Sequence, residues 1–157
     1  MDFPEISDQL EKTRQHLQTT RSFGTEVESY LTNSLLITIY AEFEGRIKTI
    51  INTFLNSNFS SKYNGSFFIP YVENLVRRLK TSELSENILS KLGPDFVKNF
   101  KQKINNNQHC ESAYNNIIIN RNKIAHGEGS NITFRELEES YPKSLVILEF
   151  LDETIKI

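Results

Sequence analysis

At 157 residues, 38% hydrophobic and 24% charged, the chain has the size of one compact domain, and its composition excludes a disordered tail, a collagen and a membrane bundle. Eighteen basic and 20 acidic side chains leave a net charge of −2, which excludes a protein that holds nucleic acid by bulk positive charge; any basic site must be local. Six glycines and four prolines are too few for an all-β sandwich or barrel with a turn every 8 to 12 residues or so, and favour a few long helices.

The segment from Glu5 to Phe23 sets Ile6, Leu10 and Leu17 on a polar background and predicts an amphipathic surface helix that Gly24 ends. From Thr25 onward, Val27, Tyr30, Leu31, Ser34, Leu35, Ile39, Phe43, Ile47, Ile50 and Phe54 recur at steps of three and four, the pattern of a long central helix. Asn, Ser and Gly crowd the stretch from Asn56 to Phe68, a loop, and Pro70 stands near the start of a short helix reaching about Lys80. Ser82 opens a further short helix that Gly93 stops, and Pro94 starts the next, which carries Phe96, Val97, Phe100 and Ile104 on one face. Asn105, Asn106 and Asn107 break that pattern before a helix from near Glu111 to Ala125 with Ile117, Ile118 and Ile119 inside it. Thr133 and Glu136 are spaced as a capping box. Pro142 then predicts an interruption, with a short helix to about Ser140 and a second from Pro142 to Ile155 whose core face is Leu145, Leu148, Leu151 and Ile155. The expectation is one all-α domain over residues 1–157, an up-and-down bundle of about five to seven helices.

Cys110 is the sole cysteine and there are three histidines, so neither an internal disulfide nor a closed Cys/His zinc site can form; no metal and no cofactor is expected, and a reducing compartment fits. The N-terminal string MDFPEISDQLEK lacks the basic region and apolar core of a signal peptide, and no apolar run approaches the ~20 residues of a membrane span. The chain is expected in the cytoplasm, away from membranes.

The chemistry-bearing segment is Asn120 to Gly129, NRNKIAHGEG. At about 100° per residue Asn122 and His126 share a helix face, whereas Arg121 lies about 140° from His126, so Arg121 and His126 can meet only near a helix end or across an interface. Gly127 and Gly129 supply such an end. This string, R-N-x-x-x-H continued as RNKIAHG, resembles the signature of the HEPN superfamily, small all-α domains that include many metal-independent ribonucleases of bacterial toxin and defence systems. The helix LLITIYAEFEGRIKTII is similar to the family's early long helix, and the acidic, leucine-rich terminal helix also fits. The resemblance implies an endoribonuclease whose Arg121 and His126, with Asn122 beside them, form a catalytic site across the seam of a homodimer. RNA would be the substrate, with an antitoxin or companion defence protein as a further partner. One position departs from some nuclease branches of the family, which carry an aromatic two residues after the histidine where this chain has Glu128.

The residue types suit that reaction. RNA carries its own nucleophile, the 2′-hydroxyl, so cleavage needs a base that titrates near neutrality, an acid for the leaving oxygen and positive charge on the phosphorane. Lys123 could add charge, and a net +4 between Lys98 and His126 against −5 between Glu128 and Glu153 suggests either a basic strip for RNA or simply solvated lysines on a helix face. Glu44 either orients Arg121 or His126, or pairs with Lys48 one turn on. The weaker alternative for Arg121 and His126 is structural, a pair that caps a helix or fixes an interface. A thiol–imidazole reading of His109 and Cys110 lacks an orienting group, His16 reads as a surface residue, and Phe67, Phe68 and Tyr71 suit core packing better than base stacking. The competing function is a non-catalytic HEPN module that binds nucleotide or a partner protein.

Overall fold

The computed structural model describes residues 3–58 and 79–156; the predicted loop from residue 59 on, most of the helix after Pro70, and Phe67, Phe68 and Tyr71 lie outside them. The described residues form helices α1 (Pro4–Thr20), α2 (Glu26–Asn58), α3, α4 (Pro94–Asn105), α5 (Gln108–Ala125) and α6 (Phe134–Ile155), with no strand among them. Helix α3 is an unbroken run of three parts: an α-turn Thr81–Glu83, a π-helical stretch Leu84–Leu89 and a closing turn Ser90–Leu92. The sequence predicts an ordinary α-helix there. The wider π-turn brings Leu84, Ser85, Ile88 and Leu89 to the buried side together, a set that 3.6-residue spacing would spread more widely.

Contacts between helices fix the topology. Phe3, at the start of α1, packs on Phe43 in mid-α2 with ring centroids 6.3 Å apart, so α1 and α2 run antiparallel. Ser130 reaches Asn33 (2.6 Å), Arg121 lies on Tyr40 and Tyr114 stacks on Phe43, so α5 descends as α2 rises. Glu28 meets Phe134 at one end and Arg46 faces Asp152 at the other, which sets α6 parallel to α2. The result is an up-and-down all-α bundle with α2 at its centre. Leu36, Ile39, Phe43, Ile47 and Ile51 of α2 meet Tyr114, Ile117 and Ile118 of α5 and Leu137, Ile147, Leu148 and Leu151 of α6 in a single core. Helix α1 joins through Ile6, Leu10 and Leu17, all buried as expected. Each such side chain contributes about 1.5–3 kcal/mol, against at most about 1 kcal/mol for an exposed ion pair such as Lys12–Asp8. Docking of α1 is therefore an apolar event.

Three expectations are corrected. Helix α2 continues to Asn58 rather than yielding to a loop at Asn56, and in its first turns Glu28 and Thr32 take the buried side while Val27 and Tyr30, placed on the core stripe by spacing, are exposed. Helix α5 starts at Gln108, before Glu111. Pro142 does not divide the last helix, which runs unbroken from Phe134 to Ile155. A proline inside a helix costs about 3 kcal/mol, but Pro142 is exposed and the Glu138 carbonyl it frees lies on the same outer face, within reach of water. Burial of Tyr141, Ser144, Leu145, Ile147, Leu148 and Leu151 on the inner face outweighs that cost.

A buried carboxylate ties two helix starts together. Glu28 accepts the Gly24 N–H (2.6 Å) just ahead of α2 and the Phe134 N–H (2.9 Å) at the first residue of α6, placing negative charge where two helix dipoles present their positive ends. At the same end Thr133 Oγ1 accepts the Glu136 N–H (3.2 Å) while Glu136 accepts the Thr133 N–H (2.8 Å), the capping box expected from the sequence. Glu28→Ala should lower the unfolding free energy by roughly 2–3 kcal/mol in urea titrations, since it orphans two N–H donors that bond a charged acceptor, with Glu28→Gln milder. Thr133→Ala should cost about 1 kcal/mol at neutral pH. The hydrogen bonds from Thr133 hold the Glu136 carboxyl below its ordinary range; the charged form is the one the cap favours, so its contribution is present above that range and is lost as pH falls through it. The difference between wild type and Thr133→Ala should therefore shrink in denaturant titrations carried into the acid range.

Candidate active site at the end of helix α5

Helix α5 buries one side along its length. Tyr114, Ile117 and Ile118 are fully enclosed, and Arg121, seven residues after Tyr114 and four after Ile117, continues the same stripe into the last turn. An arginine there needs a surface to lie on, and Tyr40 of α2 supplies it: the guanidinium carbon sits 3.9 Å from the centre of the tyrosine ring. The same pair of helices also stacks Phe43 on Tyr114, with centroids 5.6 Å apart and planes 8° from parallel, and the ring under Arg121 is itself only 4% exposed. Burial raises the Tyr40 ionisation above the ordinary tyrosine range while Arg121 pulls it back, and burial likewise raises that of Tyr114. Both rings stay neutral at physiological pH.

His126 leaves the helix on a different side. It is the residue that caps α5, exposed, with its N–H bonded to the Asn122 and Lys123 carbonyls (3.1 Å each). Gly127 follows at φ +78, the left-handed conformation that glycine adopts without strain. The Gly127 N–H then reaches the Ile124 carbonyl (3.0 Å) and the Glu128 N–H the Lys123 carbonyl (2.9 Å), a Schellman closure that stops the helix one residue after the histidine. No hydrogen bond joins His126 to Arg121, and among the described residues the imidazole has no side-chain partner. The angular separation read from the sequence thus holds, and one chain does not bring the two side chains together.

The other expected site residues divide. Asn122, on the His126 face, offers its Oδ1 to Arg121 Nη1 at a long 3.3 Å rather than holding the imidazole. Glu44 does not reach Arg121 or His126; it pairs with Lys48 (2.6 Å), the plainer of the two readings. Lys123 is half-buried beside the motif, and among the described residues neither it nor Arg121 has a carboxylate partner. The lysines of α4 form no strip with them. Phe96 of α4 packs edge-on against Phe54 near the far end of α2, and Lys103 pairs with Glu153 near the end of α6, at the opposite pole of the bundle. His109 Nε2 lies 3.3 Å from the buried Cys110 Sγ, whose ionisation is pushed up by burial, which leaves a poorer nucleophile. His16 is exposed. Among the described residues no group of three or more His, Cys, Asp and Glu side chains is placed to hold a metal.

Two residues escaped the sequence reading. Asn120, only 4% exposed, accepts the Asn131 N–H (2.8 Å) and donates to both the Asn116 carbonyl (2.9 Å) and its side-chain oxygen (2.8 Å); with the Ser130–Asn33 bond it clasps the loop that follows His126. The signal was a polar residue on the buried side of a helix just ahead of a glycine-rich turn. Tyr40 was legible too, as an aromatic on the α2 core stripe opposite an arginine on the α5 core stripe.

An all-α bundle whose penultimate helix ends in an Arg-Asn-x-x-x-His string at an open surface is a domain of the HEPN class. The sequence model of the RiboL-PSP-HEPN family matches residues 2–156, and the chain belongs to that family. Membership makes it a ribonuclease-type or nucleotide- and RNA-related module. No curated protein and no solved structure matches the chain, and no described helix is long and apolar enough to cross a membrane.

Removing the clasp tests its role in holding the histidine's loop. Asn120→Ala should cost about 1–2 kcal/mol by removing the acceptor of the Asn131 N–H together with the bonds to Asn116, and the Asn131 amide should exchange with solvent deuterium faster while amides of the α2 core keep their protection.

Proposed function

We propose that the chain, as one HEPN domain over residues 1–157, is a metal-independent endoribonuclease whose site is completed by a second copy. The observation that supports this best is the division of labour on α5: a guanidinium with no carboxylate partner among the described residues, and an exposed imidazole, carried on faces that a single chain does not unite. Two copies meeting about a two-fold axis at this end would place two Arg121 and two His126 at one seam. The helices that carry the motif expose apolar side chains suited to such a seam: Tyr30 (72% exposed) and Ile37 (49%) seven residues apart on α2, and Ile119 (39%) seven residues before His126 on α5. Residues seven apart lie on one stripe.

In this reading His126 of one copy takes the proton of the 2′-hydroxyl as O2′ attacks phosphorus. The P–O5′ bond breaks, and the partner's His126 returns a proton to O5′, leaving a 2′,3′-cyclic phosphate and a 5′-hydroxyl. Arg121 spreads charge onto the phosphorane oxygens through its planar fork, Asn122 steadies that fork, and Lys123 adds field at the phosphate. Glu44, held by Lys48, serves the neighbouring surface rather than the reaction. A toxin or antiviral effector acting in the cytoplasm, held in check or completed by an antitoxin or companion defence protein, is the role that the motif's resemblance suggests.

Purified protein in EDTA should cleave RNA and leave DNA of the same sequence intact. His126→Ala should reduce kcat by roughly 100- to 10,000-fold, Arg121→Ala should be comparably damaging, and Arg121→Lys should recover little, because a point charge does not reproduce the fork. His126→Ala should leave the melting temperature nearly unchanged, since the imidazole is exposed, and the Arg121 changes should lower it only by the loss of the contact with Tyr40. Full activity in His126→Ala, or products with 5′-phosphates that require magnesium, would move the assignment to a non-catalytic module, which nucleotide-dependent thermal shifts would then detect.

A further inference from the structure

Three of the four arginines other than Arg121 among the described residues face carboxylates, the exposed Arg21 being the fourth. Arg14 pairs with Glu11 (3.0 Å) and Glu138 (2.6 Å), Arg135 with Glu139 (3.2 Å), and Arg46 faces Asp152 (3.8 Å). Arg121 is held by the face of a neutral ring instead, although Glu44 and Glu83 are both close enough to act on the ionisation of that ring. The difference has a chemical consequence. A carboxylate would fix the guanidinium by occupying its in-plane N–H donors and cancelling its charge, the two properties that a phosphate needs from it. A ring face attracts the cation through its quadrupole from above the plane, so donors and charge remain available at the edge. Among the described residues only Nη1 is engaged, at 3.3 Å with Asn122. The ring itself is enclosed: Tyr40 is 4% exposed and sits one turn before Glu44 on α2.

We infer that Tyr40 is a positioning residue for phosphate recognition, its ring face fixing the Arg121 guanidinium at the open end of α5 with the fork uncommitted and fully charged. This deepens the nuclease reading and rests on it. The face of the ring acts, not the hydroxyl, so phenylalanine should substitute and an aliphatic residue should not. The ring acts through Arg121, so its loss should matter only where Arg121 is present.

The experiment compares wild type, Tyr40→Phe, Tyr40→Leu, Arg121→Ala and the double variant Tyr40→Leu/Arg121→Ala, each first shown by circular dichroism to be folded at the assay temperature. In 15N-edited NMR spectra the Arg121 Nε–H resonance, assigned by its loss in Arg121→Ala, should be displaced by ring current in wild type and Tyr40→Phe and should return to the free-arginine position in Tyr40→Leu. Cleavage of RNA by Tyr40→Leu should fall roughly 5- to 30-fold, the range of a partly desolvated cation–π contact, while Tyr40→Phe stays within about twofold of wild type, and Tyr40→Leu should cause no further loss in the Arg121→Ala background. Unchanged cleavage or an unmoved resonance in Tyr40→Leu would overturn the inference, as would a Tyr40→Phe variant as impaired as Tyr40→Leu or losses that simply add in the double variant. Should no form of the protein cleave RNA, the nuclease reading fails by itself. Binding of a 2′-deoxy-substituted oligonucleotide then decides: weaker binding by Tyr40→Leu, with Tyr40→Phe unchanged, sustains the platform, and equal binding overturns it.

Discussion

The angle between Arg121 and His126 on one helix governs the organisation of this end of the molecule. Five residues of α-helix separate their directions by about 140°. Because Tyr114, Ile117 and Ile118 commit the inner side of α5 to the core, Arg121 is drawn against α2 and His126 is turned out toward solvent. No rotamer change of two side chains abolishes that angle without unwinding the last turn. In the proposed reading a single copy presents two half-sites, and a second copy brings them together, the two-fold arrangement that the resemblance implies.

The supporting structure keeps the two halves rigid by different means. Arg121 rests on the ring of Tyr40, which the core encloses, a device of packing. His126 depends on the backbone: the Schellman closure at Gly127 ends the helix, and the hydrogen bonds of Asn120 with Asn131 and of Ser130 with Asn33 hold the exit loop. Those polar contacts lie at the end of the bundle where Glu28 also joins the starts of α2 and α6. Buried polar groups are costly unless satisfied, and their concentration there stiffens the backbone around the motif, while the opposite pole, with α4 and its lysines, carries ordinary packing and surface pairs.

The helical architecture was readable because apolar spacing of three and four residues reports directly on which side of a helix is buried. It was accurate for α1, for the middle of α2 and for the second half of α6. It failed where burial is not what decides. Val27 and Tyr30 follow steps of three and four but stand on the outer side of turns whose inner side buries Glu28 and Thr32; Pro142 obeys its local penalty but is overridden by burial on the other side of its own helix. The π-turn of α3 has no signature in composition. At the site, the motif string, its helix end and the separation of Arg121 from His126 were legible because they depend on sequence distance within one helix. The Glu44–Lys48 pair was legible on the same ground, as residues four apart on one helix, whereas the seating of Arg121 on Tyr40 and the displacement of the α4 lysines depend on which helices become neighbours, and that is decided by the whole core.

The central claim is that two copies make one site, and it is tested most directly by the concentration dependence of activity. RNA cleavage per chain should be measured from well below to well above the concentration at which light scattering or analytical ultracentrifugation shows the chain to dimerise. Activity per chain should rise in proportion to the dimer fraction and reach a plateau when dimerisation is complete. Constant activity per chain across a range in which the protein is monomeric would contradict the shared site and place the whole reaction within one copy.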